Sequence, residues 1–257
     1  MSSVVKLLFL MAVLGPHLSA QARDVYILVI GESSAASCNE KLFGEVEGVM
    51  QIGLDGKQKP ARDPMDWSDC KGGSVWIPLG QALIRQGLAQ KVIFMPVALA
   101  GARTRDWSDA GRGAALLKRA IDTANAKQIR FDYAFLQQGF SDSASDGASY
   151  RSDLRKLVRS VSLQIKVGRW LVAQGSGCTR AGSSQVASAH EELARAHQLN
   201  RFAGPDFSTF DKAELRNACT FAAAGQQKAA LCWLASMKRA DEASSKFQKE
   251  SLLYYFK

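Results

Sequence analysis

The sequence predicts a single α/β domain built around a mainly parallel β-sheet. At 257 residues and 47% hydrophobic content, the chain is long enough to bury one sizeable core. Apolar runs alternate with helical patterns along its length, which is typical of β-α-β units. No break in composition marks a second domain, so we expect residues 23–257 to fold as one unit.

The first strand is predicted at Val25–Ile30, an unbroken apolar run that ends at Gly31-Glu32-Ser33-Ser34. Asp55-Gly56 predicts a hairpin turn within Val49–Lys57, as an insertion at the edge of the sheet. Further strands are predicted at Lys91–Leu99, Tyr133–Leu136 and Trp170–Ala173. Helices are predicted at Pro78–Gln86, Ala114–Ala126, Ala148–Ile165, Ser184–Leu199 and Ala222–Ala240, and a terminal helix that docks on the body at Glu242–Tyr254.

Residues 1–22 have the pattern of a secretory signal peptide. Lys6 precedes the apolar run Leu7–Leu14, and Ala20-Gln21-Ala22 places small residues at the spacing of a cleavage site. The run is shorter than the roughly 20 residues of a membrane span, and no later stretch is long enough. We therefore expect a secreted, periplasmic or extracellular protein that begins near Arg23 and has no stable membrane span. Its oligomeric state does not follow from the sequence.

The chain is basic, with a formal net charge of +9 that falls to +8 once Lys6 is removed with the signal. Such a charge favours acidic partners, for example anionic polysaccharide, the cell envelope or nucleic acid. The signal argues against nucleic acid as the partner. The basic residues are not interleaved with aromatic ones, so a solvated basic face is the simpler interpretation.

All five cysteines follow the signal, so an oxidising compartment allows disulfides. We expect the pairs Cys38–Cys70 and Cys178–Cys219, because each would join loops at the same end of the sheet. Cys232 lies in an apolar helical pattern and is interpreted as a small buried hydrophobe. No Cys-x-x-Cys motif or histidine cluster indicates a metal, and we expect no metal and no cofactor.

Ser33 is the candidate nucleophile, because it follows the first strand directly. Open α/β folds bind their ligands at the carboxyl edge of the sheet, where such a residue would lie. A serine in this position could equally do no more than cap the following turn. The other polar blocks of the sequence favour the nucleophile.

Four short blocks follow predicted strands in order along the chain. They are Gly31-Glu32-Ser33-Ser34; Pro96-Val97-Ala98-Leu99-Ala100-Gly101-Ala102, continuing to Asp106-Trp107; Leu136-Gln137-Gln138-Gly139-Phe140-Ser141-Asp142; and Arg216-Asn217-Ala218-Cys219-Thr220-Phe221. Together they resemble the SGNH hydrolases, and within them the sialate O-acetylesterase-like carbohydrate esterases. That resemblance implies a three-layer α/β/α sandwich, SGNH or flavodoxin-like, over nearly the whole mature chain.

The resemblance also implies a mechanism. Ser33 would attack an O-acetyl ester of a carbohydrate or polysaccharide, and a histidine held by a carboxylate would take the serine proton. The backbone at Ser33 and Gly101, together with the Gln138 amide, would stabilise the oxyanion. The fourth block departs from the family pattern, because Asn217 stands at the aspartate position and Thr220 at the histidine position. Threonine cannot take up a proton at neutral pH.

The third block departs as well, with Gln137 and Phe140 where the family has histidine and glutamate. His190 and His197 lie seven residues apart on one predicted helix and are expected to be surface or boundary residues, although His190 could supply the missing base. Trp67, Trp76 and Trp107 lie near the expected cleft, where they could stack on sugars or pack in the core.

Two functions follow from these observations. The first is a secreted carbohydrate O-acetylesterase whose activity is weak or lost. The second is a non-catalytic relative that uses the same cleft to bind envelope or extracellular polysaccharide.

Overall fold

The computed structural model describes residues 23–174, 183–217 and 219–255. The predicted signal segment, residues 1–22, and Cys178 lie outside these ranges. Among the described residues, no helix combines the length and apolar character that a membrane span requires.

The centre of the fold is a seven-stranded sheet. Its strands are β1 (Val25–Gly31), β2 (Val49–Ile52), β3 (Gln58–Pro60), β4 (Val92–Ala98), β5 (Arg130–Gln137), β6 (Lys166–Gln174) and β7 (Arg201–Asp206). They lie in the order β3-β2-β4-β1-β5-β6-β7, and every neighbouring pair is parallel except β2 and β3. A separate antiparallel pair is formed by β8 (Leu215–Asn217) and β9 (Thr220–Phe221).

Helices cover both faces of the sheet. They are α1 (Trp76–Arg85), α2 (Ala114–Ala126), α3 (Gly147–Gln164), α4 (Ser184–Ala194) and α5 (Ala223–Tyr255). Alternate residues of β1 point to opposite layers: Ile27 and Val29 pack with α1 and α5, whereas Leu28 and Ile30 pack with α2, α3 and α4. The predicted three-layer α/β/α sandwich is therefore confirmed.

The predicted strands all form, and the Asp55-Gly56 turn joins β2 to β3 at the edge of the sheet. Helix α2 has the predicted bounds, Ala114–Ala126. β7 was not predicted, because its sequence, Arg201–Asp206, contains Gly204 and Pro205 and lacks an apolar run.

Three helix predictions were wrong in extent. α4 ends at Ala194 rather than Leu199, because Ala196 leaves the helical region at ψ 60° and Asn200 adopts a left-handed conformation at φ +54°. The predicted helices Ala222–Ala240 and Glu242–Tyr254 form one continuous helix, α5, of 33 residues. This stretch contains no proline, and Gly225 lies in its first turn, so nothing in it interrupts a helix.

The predicted disulfide between Cys38 and Cys70 is present, with their Cα atoms 5.0 Å apart. Cys219 is buried, and its proposed partner Cys178 is outside the described residues, so that pairing remains a prediction. Cys232 is half-buried against the core rather than fully buried. Burial raises the pKa of the Cys232 thiol.

Candidate active site

The first loop of the site follows β1 and begins at a position that requires glycine. A Cβ on Gly31 would lie 2.3 Å from the carbonyl oxygen of Gln137 on β5, so a side chain would force the two strands apart. The Glu32 amide donates to that same carbonyl at 3.1 Å. The Glu32 carbonyl then accepts the amides of Ala35 and Ala36, which closes a tight turn around Ser33. Close pairing of β1 and β5 thus positions the candidate nucleophile.

The structure brings Gly101 onto Ser33. The Gly101 amide donates to the Ser33 Oγ at 3.0 Å, and Gly101 has a left-handed φ of +63° that favours glycine. Ala100, the residue before Gly101, is held by two side chains. The Ala100 amide donates to the Asp69 carboxylate at 2.8 Å, and the Arg112 guanidinium donates to the Ala100 carbonyl. A backbone N–H is therefore fixed beside the serine hydroxyl, as an oxyanion donor must be.

The third predicted oxyanion group, the Gln138 amide, lies against the same loop. Its Nε2 donates to the carbonyl of Ala102, and its Oε1 accepts the Trp107 indole N–H at 3.3 Å. Gln138 is buried, with 4% of its surface exposed. The amide is thus oriented by two fixed partners next to Gly101.

The fourth block carries neither a carboxylate nor a base. The Asn217 Oδ1 accepts the backbone amides of Cys219 and Thr220, both at 2.9 Å, and so serves to close the turn between β8 and β9. Thr220 is buried, and its Oγ1 has no hydrogen-bond partner among the described residues. A histidine at this position would carry a proton acceptor, but the threonine hydroxyl offers only a weak one.

Asn39 ties the nucleophile loop to the fourth block. It is completely buried, and its Nδ2 donates to the carbonyls of Ser34, Ala36 and Gly73. Its Oδ1 accepts the amide of Phe221 at 2.9 Å. The sequence did not reveal this role, since a single asparagine after a cysteine carries no periodic or motif signal.

Glu32 ties the nucleophile loop to the third block. Its buried carboxylate accepts the Phe140 amide at 2.7 Å, and it also accepts both the amide and the hydroxyl of Ser141. Burial, opposed by these hydrogen bonds, raises the pKa of Glu32 to about 6. A carboxylate is therefore present in the site, where it supports the loop of the third block.

His190 is buried, so the prediction of a surface or boundary position for it was wrong. Its Nε2 lies 2.6 Å from the Tyr150 hydroxyl, and both side chains pack behind Gly139, the residue after Gln138. Gly139 has φ +121° and no room for a Cβ, which would lie 2.7 Å from Val186. The expectation failed because the charged neighbours of His190 lie on the other side of α4.

The two histidines do not share a helix face, because α4 ends before His197, which is exposed and stacks on Phe202. Trp67, Trp76 and Trp107 are all buried, at 1%, 0% and 4% exposure. These tryptophans therefore pack in the core rather than presenting faces to a sugar.

The seven-stranded α/β/α sandwich is the fold of SGNH-type esterases. No protein-family model and no curated protein sequence matches this chain.

Solved structures share this fold at low sequence identity. A protein from Arabidopsis thaliana is 13% identical with a TM-score of 0.62, over 84% of this chain and 96% of that one. NanS is also 13% identical, with a TM-score of 0.60 over 90% of this chain and 99% of its own. The family 3 carbohydrate esterase of Clostridium thermocellum is 13% identical, with a TM-score of 0.55 over 86% of this chain and all of its own.

Proposed function

We propose that the mature chain, residues 23–257, is a secreted SGNH-type protein that binds O-acetylated carbohydrate at Ser33 and hydrolyses its esters weakly or not at all. One observation carries the proposal. The Gly101 amide lies 3.0 Å from the Ser33 Oγ, whereas the fourth block, which Asn39 links to the nucleophile loop, holds an asparagine and a buried threonine.

The retained half of the site can bind and polarise an ester. An acetyl carbonyl placed over Ser33 would direct its oxygen towards the Gly101 amide, which would exchange the Ser33 Oγ for the substrate oxygen. The Gln138 amide lies against the same loop and is held by Ala102 and Trp107. Amide donors held in place before the substrate binds stabilise a tetrahedral oxyanion.

The missing half of the site limits the rate. Attack by Ser33 requires transfer of its proton, and neither Asn217 nor Thr220 can accept it at neutral pH. Losing the catalytic histidine lowers turnover on the order of a million-fold in a well-studied serine protease. Oxyanion donors and binding alone still accelerate a reaction roughly a thousand-fold over water. We give His190 no role as the base, because its Nε2 bonds to Tyr150 and it lies behind Gly139.

The second candidate is a pure binding protein, and the fourth block favours it. The Asn217 oxygen is fully used in closing a turn, and the Thr220 side chain is buried rather than directed outward as a reactive group. In this role the cleft would bind envelope or extracellular polysaccharide without cleaving it.

Carbohydrate is the proposed ligand class for two reasons. The four sequence blocks resemble those of carbohydrate esterases, and a family 3 carbohydrate esterase shares the fold. Secretion is proposed from residues 1–22, and the Cys38–Cys70 disulfide is what an oxidising compartment allows.

The first experiment measures the release of nitrophenol from an aryl acetate by the wild-type protein and Ser33→Ala. Ser160→Ala, an exposed serine on α3, is the matched control. A slow rate that Ser33→Ala abolishes and Ser160→Ala retains supports a weak esterase. Equal rates in all three proteins would refute Ser33-dependent hydrolysis and leave only the binding role to be tested with acetylated polysaccharide.

The second experiment restores the fourth block with Asn217→Asp and Thr220→His together, using Asn217→Asp alone as the control. If the rest of the site is intact, the double variant should gain at least a hundred-fold in Ser33-dependent hydrolysis, the usual scale of general base catalysis. A folded double variant with no gain would show that the geometry around Ser33 is not that of an esterase.

A further inference from the structure

A row of basic side chains runs along the exposed side of α3. Arg151, Arg155, Lys156 and Arg159 line a groove of about 430 Å³ together with Ala148 and Ser152. We call these four basic residues the α3 basic stripe. Arg151, Arg155 and Arg159 are spaced four residues apart, so their guanidinium groups follow one another along the same face.

Only part of this charge is neutralised. Glu192 on α4 pairs with both Arg151, at 2.8 Å, and Arg155. Asp153 lies 3.7 Å from Lys156, a long contact on a side chain that is 75% exposed. No ion pair of Arg159 is found among the described residues. Like charges four residues apart repel each other on a helix, and Glu192 offsets this for Arg151 and Arg155 but leaves the repulsion between Arg155 and Arg159 to a further anion.

A neighbouring strand adds to the positive potential. Arg201 begins β7, and burial together with the nearby charge of Arg155 lowers the pKa of Arg201. Arg201 thus adds a further positive charge beside the stripe. An anion on this face would interact with several charges at once.

The stripe begins at the edge of the sheet that holds Ser33. β5 ends at Gln137, the third block follows, and α3 starts at Gly147. A helix that follows a parallel strand starts at the carboxyl edge of the sheet and runs back along its face. From Ala148 to Arg159 the groove therefore extends about 16 Å away from the candidate active site, at 1.5 Å per residue.

We propose that the α3 basic stripe binds an anionic polysaccharide, with carboxylate groups on its sugars paired to the arginines. The inference rests on the proposed function, since it assumes that the polysaccharide bound to the stripe also enters the Ser33 site. Guanidinium groups pair with carboxylates through two parallel hydrogen bonds. The groove lining contains no aromatic side chain, so it offers no surface on which bases of a nucleic acid would stack.

The test measures binding of polygalacturonate to the full mature chain by isothermal titration calorimetry, with neutral dextran as the uncharged comparison. Polygalacturonate should bind and dextran should not, and raising the salt from 50 to 200 mM should weaken the binding. Arg155→Gln with Arg159→Gln should weaken it about tenfold, the sum of two exposed ionic contacts of ordinary strength.

The matched control is Arg85→Gln with Lys127→Gln. These two exposed cations lie at the C-terminal ends of α1 and α2, near the opposite edge of the sheet, and their removal lowers the net charge by the same amount. Equal loss in both double variants would reduce the effect to net charge and overturn the proposal. Stripe-dependent binding of duplex DNA that is tighter than that of polygalacturonate would overturn the choice of partner.

Failure of the stripe is distinguishable from failure of the proposed function. If Arg155→Gln with Arg159→Gln binds polygalacturonate as the wild type does, the stripe is refuted. Binding of neutral acetylated xylan that Ser33→Tyr abolishes and Ser160→Ala retains would still support the proposed function.

Discussion

Replacing Glu32 by glutamine should change how the stability of the fold depends on pH. Glu32 is only 2% exposed to solvent, and its carboxylate supports the third block through Phe140 and Ser141. Glutamine has nearly the same shape and can accept one of these amides, but it does not ionise. The substitution therefore removes a titration and leaves the packing largely intact.

The magnitude follows from the pKa of Glu32, which burial raises from 4.5 to about 6 in the folded chain. Between these values the folded state binds more protons than the unfolded state, so the free energy of unfolding falls as pH rises. A difference of about 1.5 pKa units corresponds to about 2 kcal/mol. That contribution is fully present below pH 4.5 and is lost as pH rises through about 6.

Urea unfolding followed by tryptophan fluorescence at pH 4, 5, 6 and 7.5 measures the effect. The free energy of unfolding of Glu32→Gln minus that of the wild type should rise by about 2 kcal/mol across this range. Glu45→Gln, at an exposed carboxylate, is the control for general charge effects and should not follow the same course. A difference between Glu32→Gln and wild type that stays constant with pH would refute the reasoning.

Three further variants test the loops that carry the site, each by urea unfolding at pH 7.5. Replacing Cys38 and Cys70 by serine should cost about 3–4 kcal/mol, because the disulfide closes a loop of sequence separation 32; a fully reduced wild type should match it. Gly139→Ala should cost about 3 kcal/mol or more, since its Cβ would meet Val186 at 2.7 Å with φ at +121°. Asn39→Ala should cost about 3 kcal/mol, because it leaves several buried backbone groups without partners.

Each of these has an outcome that contradicts it. A disulfide variant as stable as the oxidised wild type would show that the unfolded chain is already compact. Gly139→Ala with unchanged stability would mean that the third block can shift away from α4. If the free energy of unfolding of Asn39→Ala lies within about 0.5 kcal/mol of the wild type, the usual range of a surface substitution, the Asn39 amide does not link the nucleophile loop to the fourth block.

Much of the fold could be predicted because its signals are local. β1 is an unbroken apolar run that stops at Gly31, and α2 has a clear helical period bounded by Gly113. Parallel strands joined by helices place all their carboxyl ends at one edge. The resemblance to SGNH hydrolases, rather than this topology, implied that Ser33 and Gly101 lie together, and the 3.0 Å contact agrees with it.

The predictions were wrong where burial or hydrogen bonding depends on residues that are distant in the sequence. The burial of His190 depends on Tyr150 and Gly139, which lie 40 and 51 residues earlier and are brought together only by the packing of α3 and α4. α5 continues through Glu242 because nothing in its sequence interrupts a helix. A change from apolar to polar residues at Glu242 does not end one. The role of Asn39 depends on Phe221, 182 residues away.

The sequence by itself determined the class of fold, the serine at the end of the first strand, and the presence of Asn217 and Thr220 where the family resemblance implies an aspartate and a histidine. Residue identity alone decides whether a side chain can take up a proton. The sequence was therefore enough to show that Thr220 cannot act as a base. The tertiary structure decided which polar groups are buried and with what they pair. Glu32 became a loop support of raised pKa, His190 a core residue, and the α3 basic stripe a single surface, because burial and the summing of charges depend on neighbours that only folding brings together.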